Sequence, residues 1–302
     1  MTPRPSLCRS YLFAPGNNQR LIEKVFDAGA DAVVLDLEDS VALDRKEQAR
    51  DMVAAAVRRR QKGDGPRIFV RINAVSTAFW QDDVQQVVTW SIDGIRLPKA
   101  ESAAQIAKLD HSISEAELRA GMPNGSISIV PTIESAVGVM CVEEIARHLR
   151  IETICFGASD FACDMGSDPD PTGLQTLYAE SRLALVSRAA GIRPPVASVY
   201  LPINDLKGLC ASSVAARRLG FFGRSCIHPT QIPIIHEVFT PSPKDLAEAN
   251  AILESFHKAH AKGTGAFLMD DGRFVDQTVV RRAREIIALS ERVTRLKNSG
   301  ER

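Results

Sequence analysis

The sequence has no excess of charge of either sign. Its 302 residues contain 37 Lys and Arg residues and 37 Asp and Glu residues, so the formal net charge is zero. A balanced chain has no general attraction to phosphate backbones or to anionic membrane surfaces. We therefore expect neither a nucleic acid nor a membrane as a partner.

Long apolar runs are also absent. No stretch approaches the roughly 18 consecutive apolar residues that a membrane-spanning helix needs. The first residues, MTPRPSLCRSYLFAPG, lack the apolar region of a signal peptide. We expect a cytoplasmic protein, and its 45% hydrophobic and 25% charged residues are ordinary for a globular domain.

Paired cysteines are missing too. The cysteines are scattered and form no Cys-x-x-Cys pair; they are Cys8, Cys141, Cys155, Cys163, Cys210 and Cys226. This spacing argues against a zinc site and against a disulfide framework. Small buried apolar side chains in a reducing compartment explain them better.

What the sequence does contain is an alternation of short β-type runs and longer helical patterns. The β-type runs lie at 10–15, 32–37, 67–72, 93–98, 126–133, 153–157, 195–199 and 221–227. The helical patterns begin near Asn18, Asp44, Trp80, Ser102, Ser135, Thr172, Asp205 and Thr230. Strict alternation predicts an α/β fold with parallel strands, and these units fit a (β/α)8 TIM barrel. A doubly wound sheet is the alternative, but APGNNQR after the first run is not its glycine fingerprint.

The pattern changes after Phe239. A proline-marked break at 240–243 precedes a helical pattern at about 244–262, a hairpin at 263–276 around Asp270-Asp271-Gly272, and a last helix at 277–297. A segment this short buries too little surface to be stable alone. We predict a catalytic barrel domain, 1–240, and a C-terminal helix–hairpin–helix extension, 241–302, that packs on the barrel or on a neighbouring subunit.

Charged residues stand where the predicted strands end, which is where barrel enzymes place their active sites. The second strand ends in Asp36, Glu38 and Asp39, and the third carries Arg71. Carboxylates at the end of a buried strand need a positive partner. Arg71 and a metal ion are the partners that we predict.

Two further acids predict the metal site. Glu134 ends the fifth strand and Asp160 follows the sixth. Because neighbouring strands lie about 4.8 Å apart, both carboxylates can reach one cation. Without a nearby Cys or His pair they favour Mg²⁺, with Mn²⁺ also possible, over Zn²⁺. Each acid could instead be a helix N-cap or a surface ion pair, and Asp39 and Ser135 are good cap candidates.

Three basic residues remain open to two interpretations. His228, before a proline at the end of the eighth strand, is either a structural or a catalytic histidine. Arg20 and Lys24 lie one turn apart on the first helix. They form an exposed basic pair or a phosphate-binding site.

The chain contains an ordered set of motifs: RSYLFAPGN (9–17), LDLEDSVALDRKEQAR (35–50), VRINA (70–74), RLPKAES (96–102), PTIESAVGV (131–139), GASDF (157–161), LGFFGRSCIHPTQI (219–232), GTGAF (263–267) and DGRFVD (271–276). Together these motifs resemble the citrate lyase β-subunit-like family of the HpcH/HpaI aldolase superfamily. The resemblance covers nearly the whole chain. It implies a (β/α)8 barrel and Mg²⁺-dependent chemistry on a CoA thioester.

The resemblance also implies roles for residues around the metal. Glu134 and Asp160 would bind Mg²⁺. Arg71 would contact the thioester or keto-acid oxygen, and Asp36 and Glu38 would frame the metal.

Other implied roles concern the substrate and a second subunit. Arg20 and Lys24 fall where relatives hold CoA phosphates, and Ile227 and His228 match substrate-contacting positions. Asp276 matches an aspartate that acts as acid or base and that relatives deliver from the C-terminal segment of an adjacent subunit. This implies a homo-oligomer, a trimer or a hexamer.

The sequence departs from the family at a few positions. Phe13 stands where some relatives have a tyrosine, and Ala197 stands where an aspartate is frequent. Pro202-Ile203 replaces a more polar element. These departures change the expected shape of the pocket and the choice of substrate.

The implied reaction is the cleavage of a 3-hydroxyacyl-CoA, such as malyl-, citramalyl- or citryl-CoA, into acetyl-CoA and a 2-oxo acid. Arg71 would stabilise the enolate oxygen, and Asp276 would return a proton to the enolate carbon. The alternatives are a thioesterase or malate-synthase-like enzyme, a carrier-dependent subunit of a lyase complex, and a CoA-independent aldolase. The LDLEDSV and DGRFVD motifs favour the CoA-dependent branch.

Overall fold

The structure, a computed structural model, describes residues 7–63, 65–168, 173–260, 265–269 and 271–300, and the side chains as far as residue 294. Contacts divide the chain into two compact units. The first spans Cys8–Ile235, and the second contains the chain from His236 onward. The predicted domain boundary at 240/241 stays a prediction.

A curled parallel sheet forms the centre of the first unit. Its strands are β1 (Ser10–Pro15), β2 (Ala32–Asp36), β3 (Arg67–Arg71), β4 (Gly94–Leu97), β5 (Ser128–Ile133), β6 (Cys155–Phe156) and β7 (Arg224–Cys226). Their order is β6-β5-β4-β3-β2-β1-β7, and every pairing is parallel. This confirms the predicted parallel α/β architecture.

The predicted seventh strand, 195–199, is a short link and not a full strand. Val196 forms a parallel bridge to Cys155 of β6, and Ala197 forms one to Arg224 of β7. Pro194 precedes the link, and Pro195 is its first residue. Because proline has no N–H to donate, the ladder does not extend in that direction.

Helices follow the strands on the outside. They are α1 (Gln19–Val25), α2 (Lys46–Arg58), α3 (Trp80–Val87), α4 (Ala103–Arg119), α5 (Ala136–Ala146), α6 (Ala158–Asp164), α7 (Leu177–Ala189), α8 (Leu206–Leu219) and α9 (Ile232–Phe239), which crosses the boundary between the units. Ser102 and Ser135 begin α4 and α5 as N-caps, each accepting a backbone N–H two to three residues into its helix. The sequence pattern missed α6, and the helix start predicted near Thr172 lies outside the described residues.

Alternate strand residues fill the inside of the curled sheet. Tyr11, Val34, Phe69 and Val130 belong to one buried apolar cluster, with Phe13 packed against it. Side chains along a strand alternate between its two faces. The residues two positions further along β2, β3 and β5 therefore share this inner face one layer higher; they are Asp36, Arg71 and Thr132. A layer of polar side chains therefore lies next to the apolar cluster, on the side of the carboxyl ends of the strands.

The second unit is described by itself. It contains α10 (Pro243–His260), the antiparallel strands β8 (Phe267–Leu268) and β9 (Phe274–Val275), and α11 (Gln277–Gly300). Its apolar cluster joins α10 to β9 and α11 through Ala249, Ile252, Phe256, Val275, Val280 and Ala283. Position 270 in the predicted hairpin turn lies outside the described residues. In neither unit does a described helix have the length and apolarity to cross a membrane.

Candidate active site

A cavity of about 370 Å³ opens at the carboxyl ends of the strands. Its lining brings together five of the residues predicted to bind metal or substrate or to act in catalysis, namely Asp36, Arg71, Glu134, Asp160 and Ile227, and it also includes Phe13 and Asp39. They come from the ends of different strands and from the first turn of α6, so the fold builds the site from distant parts of the sequence. This is the end at which parallel α/β barrels carry their chemistry.

Asp36 and Arg71 form a two-point ion pair at the cavity wall. Arg71 Nε lies 2.6 Å from Asp36 Oδ1, and Arg71 Nη2 lies 2.7 Å from Asp36 Oδ2. Asp36 also accepts the backbone N–H groups of Glu38 and Ser40. Burial raises the pKa of Asp36, but Arg71 and these donors more than offset it and hold that pKa below its usual value. With both oxygens engaged, Asp36 fixes the direction of the Arg71 guanidinium.

Glu38 is a buried carboxylate held between two cations. Its Oε2 lies 3.0 Å from Arg71 Nη1, and its Oε1 lies 2.9 Å from Lys99 Nζ. Burial raises the pKa of Glu38, and Arg71 and Lys99 counter part of that rise. Asp39 is 3.3 Å from Arg71 and does not cap a helix, because the 3₁₀ helix that follows begins only at Leu43.

Lys46 supplies a third positive group near these acids. Its Nζ donates to the carbonyl oxygens of Leu37 at 2.8 Å and Glu38 at 2.7 Å, and the side chain is buried. It secures the turn that carries Glu38. The sequence predicted Arg71 and a metal as the partners of the second-strand acids; the structure adds Lys99 and Lys46, which that reasoning missed.

Lys99 has an unusual backbone. Its φ of 50° makes it the one non-glycine residue with positive φ among the described residues. Such a conformation is costly for a residue with a Cβ and often marks a functional site. It lets the Lys99 backbone N–H donate to Glu134 Oε1 at 2.7 Å while the Nζ contacts Glu38. One residue thus orients two acids of the site.

Glu134 is a buried carboxyl group of the cavity with a shifted pKa. Burial, together with the negative charges of Asp160 and Glu38, raises its pKa to about 7. Gly157 makes room for it, since a Cβ at that position would lie 2.5 Å from Glu134 Oε2. Asp160 is exposed in the first turn of α6. The shift comes first from burial, and the neighbouring carboxylates add to it.

This arrangement fits a magnesium ion. The described residues contain no cluster of three or more His, Cys, Asp or Glu side chains that could hold a metal. Mg²⁺ commonly binds through one or two carboxylates and keeps its remaining positions for water or substrate. Glu134 and Asp160 provide that number of oxygen ligands, and a nearby cation would favour the charged form of the buried Glu134 carboxylate.

Phe13 and Arg96 complete the inner part of the cavity. The guanidinium carbons of Arg71 and Arg96 lie 5.1 Å and 4.8 Å from the centroid of the Phe13 ring. Arg96 was not among the predicted site residues, although it lines the cavity and is buried. Ring faces attract cations at this distance, so the Phe13 phenyl group helps to hold both arginines.

Four other predicted site residues are not among the described residues that line the cavity; they are Arg20, Lys24, His228 and Asp276. Arg20 and Lys24 are exposed on α1. His228 begins the 3₁₀ helix Pro229–Gln231, with Nδ1 accepting the Thr230 N–H at 3.3 Å, which supports its structural interpretation. Asp276 lies in the second unit, where its carboxylate accepts the N–H groups of Thr278 and Val279 and caps α11.

The sequence of the first unit matches a known family model. The model is described as HpcH/HpaI aldolase/citrate lyase, and it matches residues 9–229. The chain belongs to this family. The match covers all the strands of the curled sheet and the cavity at their carboxyl ends.

Individual relatives match over nearly their whole length. The citrate lyase subunit beta of Leuconostoc mesenteroides subsp. cremoris is 36% identical, over 94% of this chain and 93% of its own. The L-malyl-CoA/beta-methylmalyl-CoA lyase of Rhodobacter capsulatus is 35% identical over 96% of each chain. This member of the HpcH/HpaI family is accordingly an enzyme of the lyase class.

A solved structure supports the same assignment. The CitE protein of Mycobacterium tuberculosis, in complex with magnesium, acetoacetate and coenzyme A, has a TM-score of 0.76 to this chain at 28% identity. The similarity covers 96% of this chain and 100% of that one.

Proposed function

We propose that this HpcH/HpaI family member is a Mg²⁺-dependent carbon–carbon lyase that cleaves a 3-hydroxyacyl-CoA into acetyl-CoA and a 2-oxo acid. The main support for this proposal is that Glu134, Asp160 and Arg71 line one cavity. Relatives named as lyases and a neighbour that binds magnesium, acetoacetate and coenzyme A support it. Malyl-, citramalyl- and citryl-CoA are the candidate substrates.

Glu134 and Asp160 would hold the metal ion, with Mn²⁺ as a possible substitute. When bound, the ion would polarise substrate oxygens as a Lewis acid and stabilise the negative charge that develops on them. Lys99 supports this role because its backbone N–H fixes one oxygen of Glu134.

Arg71 would stabilise the charge that forms on the thioester. In the cleavage, a base takes the hydroxyl proton, the oxygen forms the carbonyl of the 2-oxo acid as the carbon–carbon bond breaks, and the electron pair of that bond moves into the thioester to give an enolate. The 2-oxo acid departs, and a proton then adds to the enolate carbon to give acetyl-CoA. Burial lowers the pKa of Arg71, but Asp36, Glu38 and Asp39 raise it well above its usual value. The guanidinium therefore stays charged and preorganised opposite the developing oxyanion.

The proton for the enolate carbon would come from Asp276 of an adjacent subunit. In this proposal the sheet of the first unit is a closed (β/α)8 barrel, and the C-terminal helix–hairpin–helix segment is a lid that completes a neighbour's site in a trimer or hexamer. In the described residues of the short second unit, a small apolar cluster joins α10, β9 and α11. Such a segment gains stability by packing on a larger partner.

Mixed oligomers test the role of Asp276. Asparagine caps a helix as well as aspartate does, so Asp276→Asn removes the acid and retains the start of α11. Asp276→Asn and Arg71→Ala should each be nearly inactive alone. Co-expressed, they should recover a fraction of wild-type kcat, because some sites would combine an intact barrel with an intact lid. Mixed oligomers that form without regaining activity would show that Asp276 does not act across subunits.

A condensation panel tests the proposed reaction itself. Acetyl-CoA or propionyl-CoA would be incubated with glyoxylate, pyruvate or oxaloacetate and Mg²⁺, and the products identified by mass spectrometry. We expect a 3-hydroxyacyl-CoA as the product. Release of free CoA, followed with a thiol reagent, would identify a thioesterase or malate-synthase-like enzyme instead. Inactivity with every free CoA thioester, together with co-purification of a carrier protein, would identify a carrier-dependent subunit.

Lys99 should support turnover through its side chain. Lys99→Gly removes the ammonium that contacts Glu38 but adopts positive φ without strain. Lys99→Met also removes the charge and retains the strained backbone. Both variants should lose about 10-fold or more in kcat/KM, as expected for a lost hydrogen bond to a charged group. Thermal melting should show the glycine variant to be the more stable of the two. Wild-type kcat/KM in both would show that the ammonium has no part in the reaction.

A further inference from the structure

Arg96 is a buried cation without an acidic partner in the part of the chain that the structure describes. It is 4% exposed and lines the cavity. Its Nε donates to Thr132 Oγ1 at 3.2 Å, and its Nη1 donates to Ser225 Oγ at 3.0 Å. Both partners are neutral hydroxyl groups. The Phe13 ring beside it is also uncharged.

Other buried arginines of the same unit differ from Arg96. Arg9, Arg50 and Arg150 are as buried, and each has a nitrogen 2.8 Å from a carboxylate oxygen. Arg224 resembles Arg96 in having no acid at ion-pair distance among the described residues, but it does not line the cavity. A buried charge without a counter-charge is destabilising. Arg96 is therefore the arginine for which an anion entering the cavity would supply the missing charge.

Arg71, the other arginine that lines the cavity, is less suited to bind an added anion. Arg71 already faces Asp36, Glu38 and Asp39 within 3.3 Å. A further carboxylate there would meet like charges. In contrast, a guanidinium has five N–H donors, and Thr132 and Ser225 use two of those of Arg96. The remaining donors suit the planar, two-point binding of a carboxylate.

We infer that Arg96 binds a second carboxylate of the substrate, so that the 2-oxo acid released by this enzyme is a dicarboxylic acid. The inference rests on the proposed function, in which Glu134, Asp160 and Arg71 already serve the reacting half of the substrate. Among the described residues Arg96 forms no ion pair with Glu134 or Asp160, and Thr132, Ser225 and Phe13 hold it in place. It selects among 2-oxo acids and does not take part in breaking the bond.

A matched pair of 2-oxo acids tests the role of Arg96. Oxaloacetate and 2-oxobutyrate have the same carbon chain, but the second has a methyl group where the first has its second carboxylate. In condensation with acetyl-CoA, the wild type should prefer oxaloacetate by roughly 10- to 100-fold in kcat/KM, the range for a hydrogen bond to a charged group. Arg96→Met should abolish that preference, because kcat/KM should fall for oxaloacetate and much less for 2-oxobutyrate. Arg96→Lys keeps the charge without the planar fork and should restore part of the preference.

A binding measurement separates this inference from the proposed reaction. Oxaloacetate, but not 2-oxobutyrate, should raise the melting temperature of the wild type, and Arg96→Met should lose that effect. Equal use of both acids by the wild type, or an equal loss with both in Arg96→Met, would overturn the assignment of Arg96. Selective binding of oxaloacetate without any condensation product would uphold Arg96 and overturn the proposed reaction. If the methionine variant does not fold, a wild-type preference unchanged in Arg96→Lys overturns the assignment, and a reduced one supports it.

Discussion

Glu134→Gln should abolish turnover and also remove the stabilisation of the protein by Mg²⁺. Glutamine has nearly the same size as glutamate, and its carbonyl oxygen can still accept the Lys99 backbone N–H. It carries no charge, however, so the remaining ligand set should bind Mg²⁺ poorly. Because a ligand that binds the folded state raises its stability, Mg²⁺ should raise the melting temperature of the wild type and not of Glu134→Gln. We expect kcat to fall by about 100-fold or more, as when a main electrostatic contact to the transition state is lost.

Helix α6 offers a second test of this prediction and a matched control. Asp160→Asn should behave like Glu134→Gln, since Asp160 is the other proposed ligand. Asp164 lies one turn further along α6, and its Oδ2 accepts the Ala136 backbone N–H at 2.7 Å. Asp164→Asn should keep both turnover and the response to Mg²⁺. Wild-type activity that persists in excess chelator would contradict the metal site altogether.

Arg71→Lys should lower kcat by about 100-fold even though the positive charge remains. A lysine ammonium lacks the fork with which Arg71 contacts both oxygens of Asp36, at 2.6 Å and 2.7 Å. The charge would no longer be fixed opposite the enolate oxygen, and removal of one such preorganised donor typically costs 100- to 1,000-fold, as an order of magnitude. Steady-state kcat and KM should show the loss mainly in kcat.

The same substitution at Arg50 provides the control for Arg71. Arg50 is buried and lies 2.8 Å from Asp83, but it does not line the cavity. Arg50→Lys should lower the melting temperature and leave kcat per folded molecule near wild type. If Arg71→Lys shows that same pattern, with an unchanged kcat/KM, Arg71 is a structural residue.

The alternation of β-type runs and helical patterns was sufficient to predict a parallel α/β fold, because each run had the length and composition of a buried strand. It also predicted which acids lie at the carboxyl ends of neighbouring strands, and the cavity lining includes Asp36, Glu134 and Asp160. The shortened seventh strand could have been foreseen from Pro194 and Pro195. Arg96 could have been foreseen too: it pairs with Arg71 across β3 and β4, and side chains of paired residues share a face of the sheet.

Other parts of the site depend on the folded chain. Lys99 and Lys46 have long flexible side chains whose partners are set by where neighbouring strands end, and their positions in the sequence give no sign that both would meet the turn at Glu38. The positive φ of Lys99 could not be predicted from the sequence either, since lysine has no preference for that conformation. His228 has a cap role that follows from the 3₁₀ helix after it, which only the folded backbone reveals.

The ring of Phe13 has a consequence for how substrate preference can evolve in this protein. Because it contacts the guanidinium groups of both Arg71 and Arg96, a substitution at position 13 disturbs the group proposed for bond cleavage together with the group proposed for selecting the acid. Effects of neighbouring residues that share a partner are not additive. Epistasis should therefore be strong between positions 13 and 96. A change at position 96 alters the choice of acid without removing the ring that contacts Arg71, whereas a change at position 13 affects both arginines.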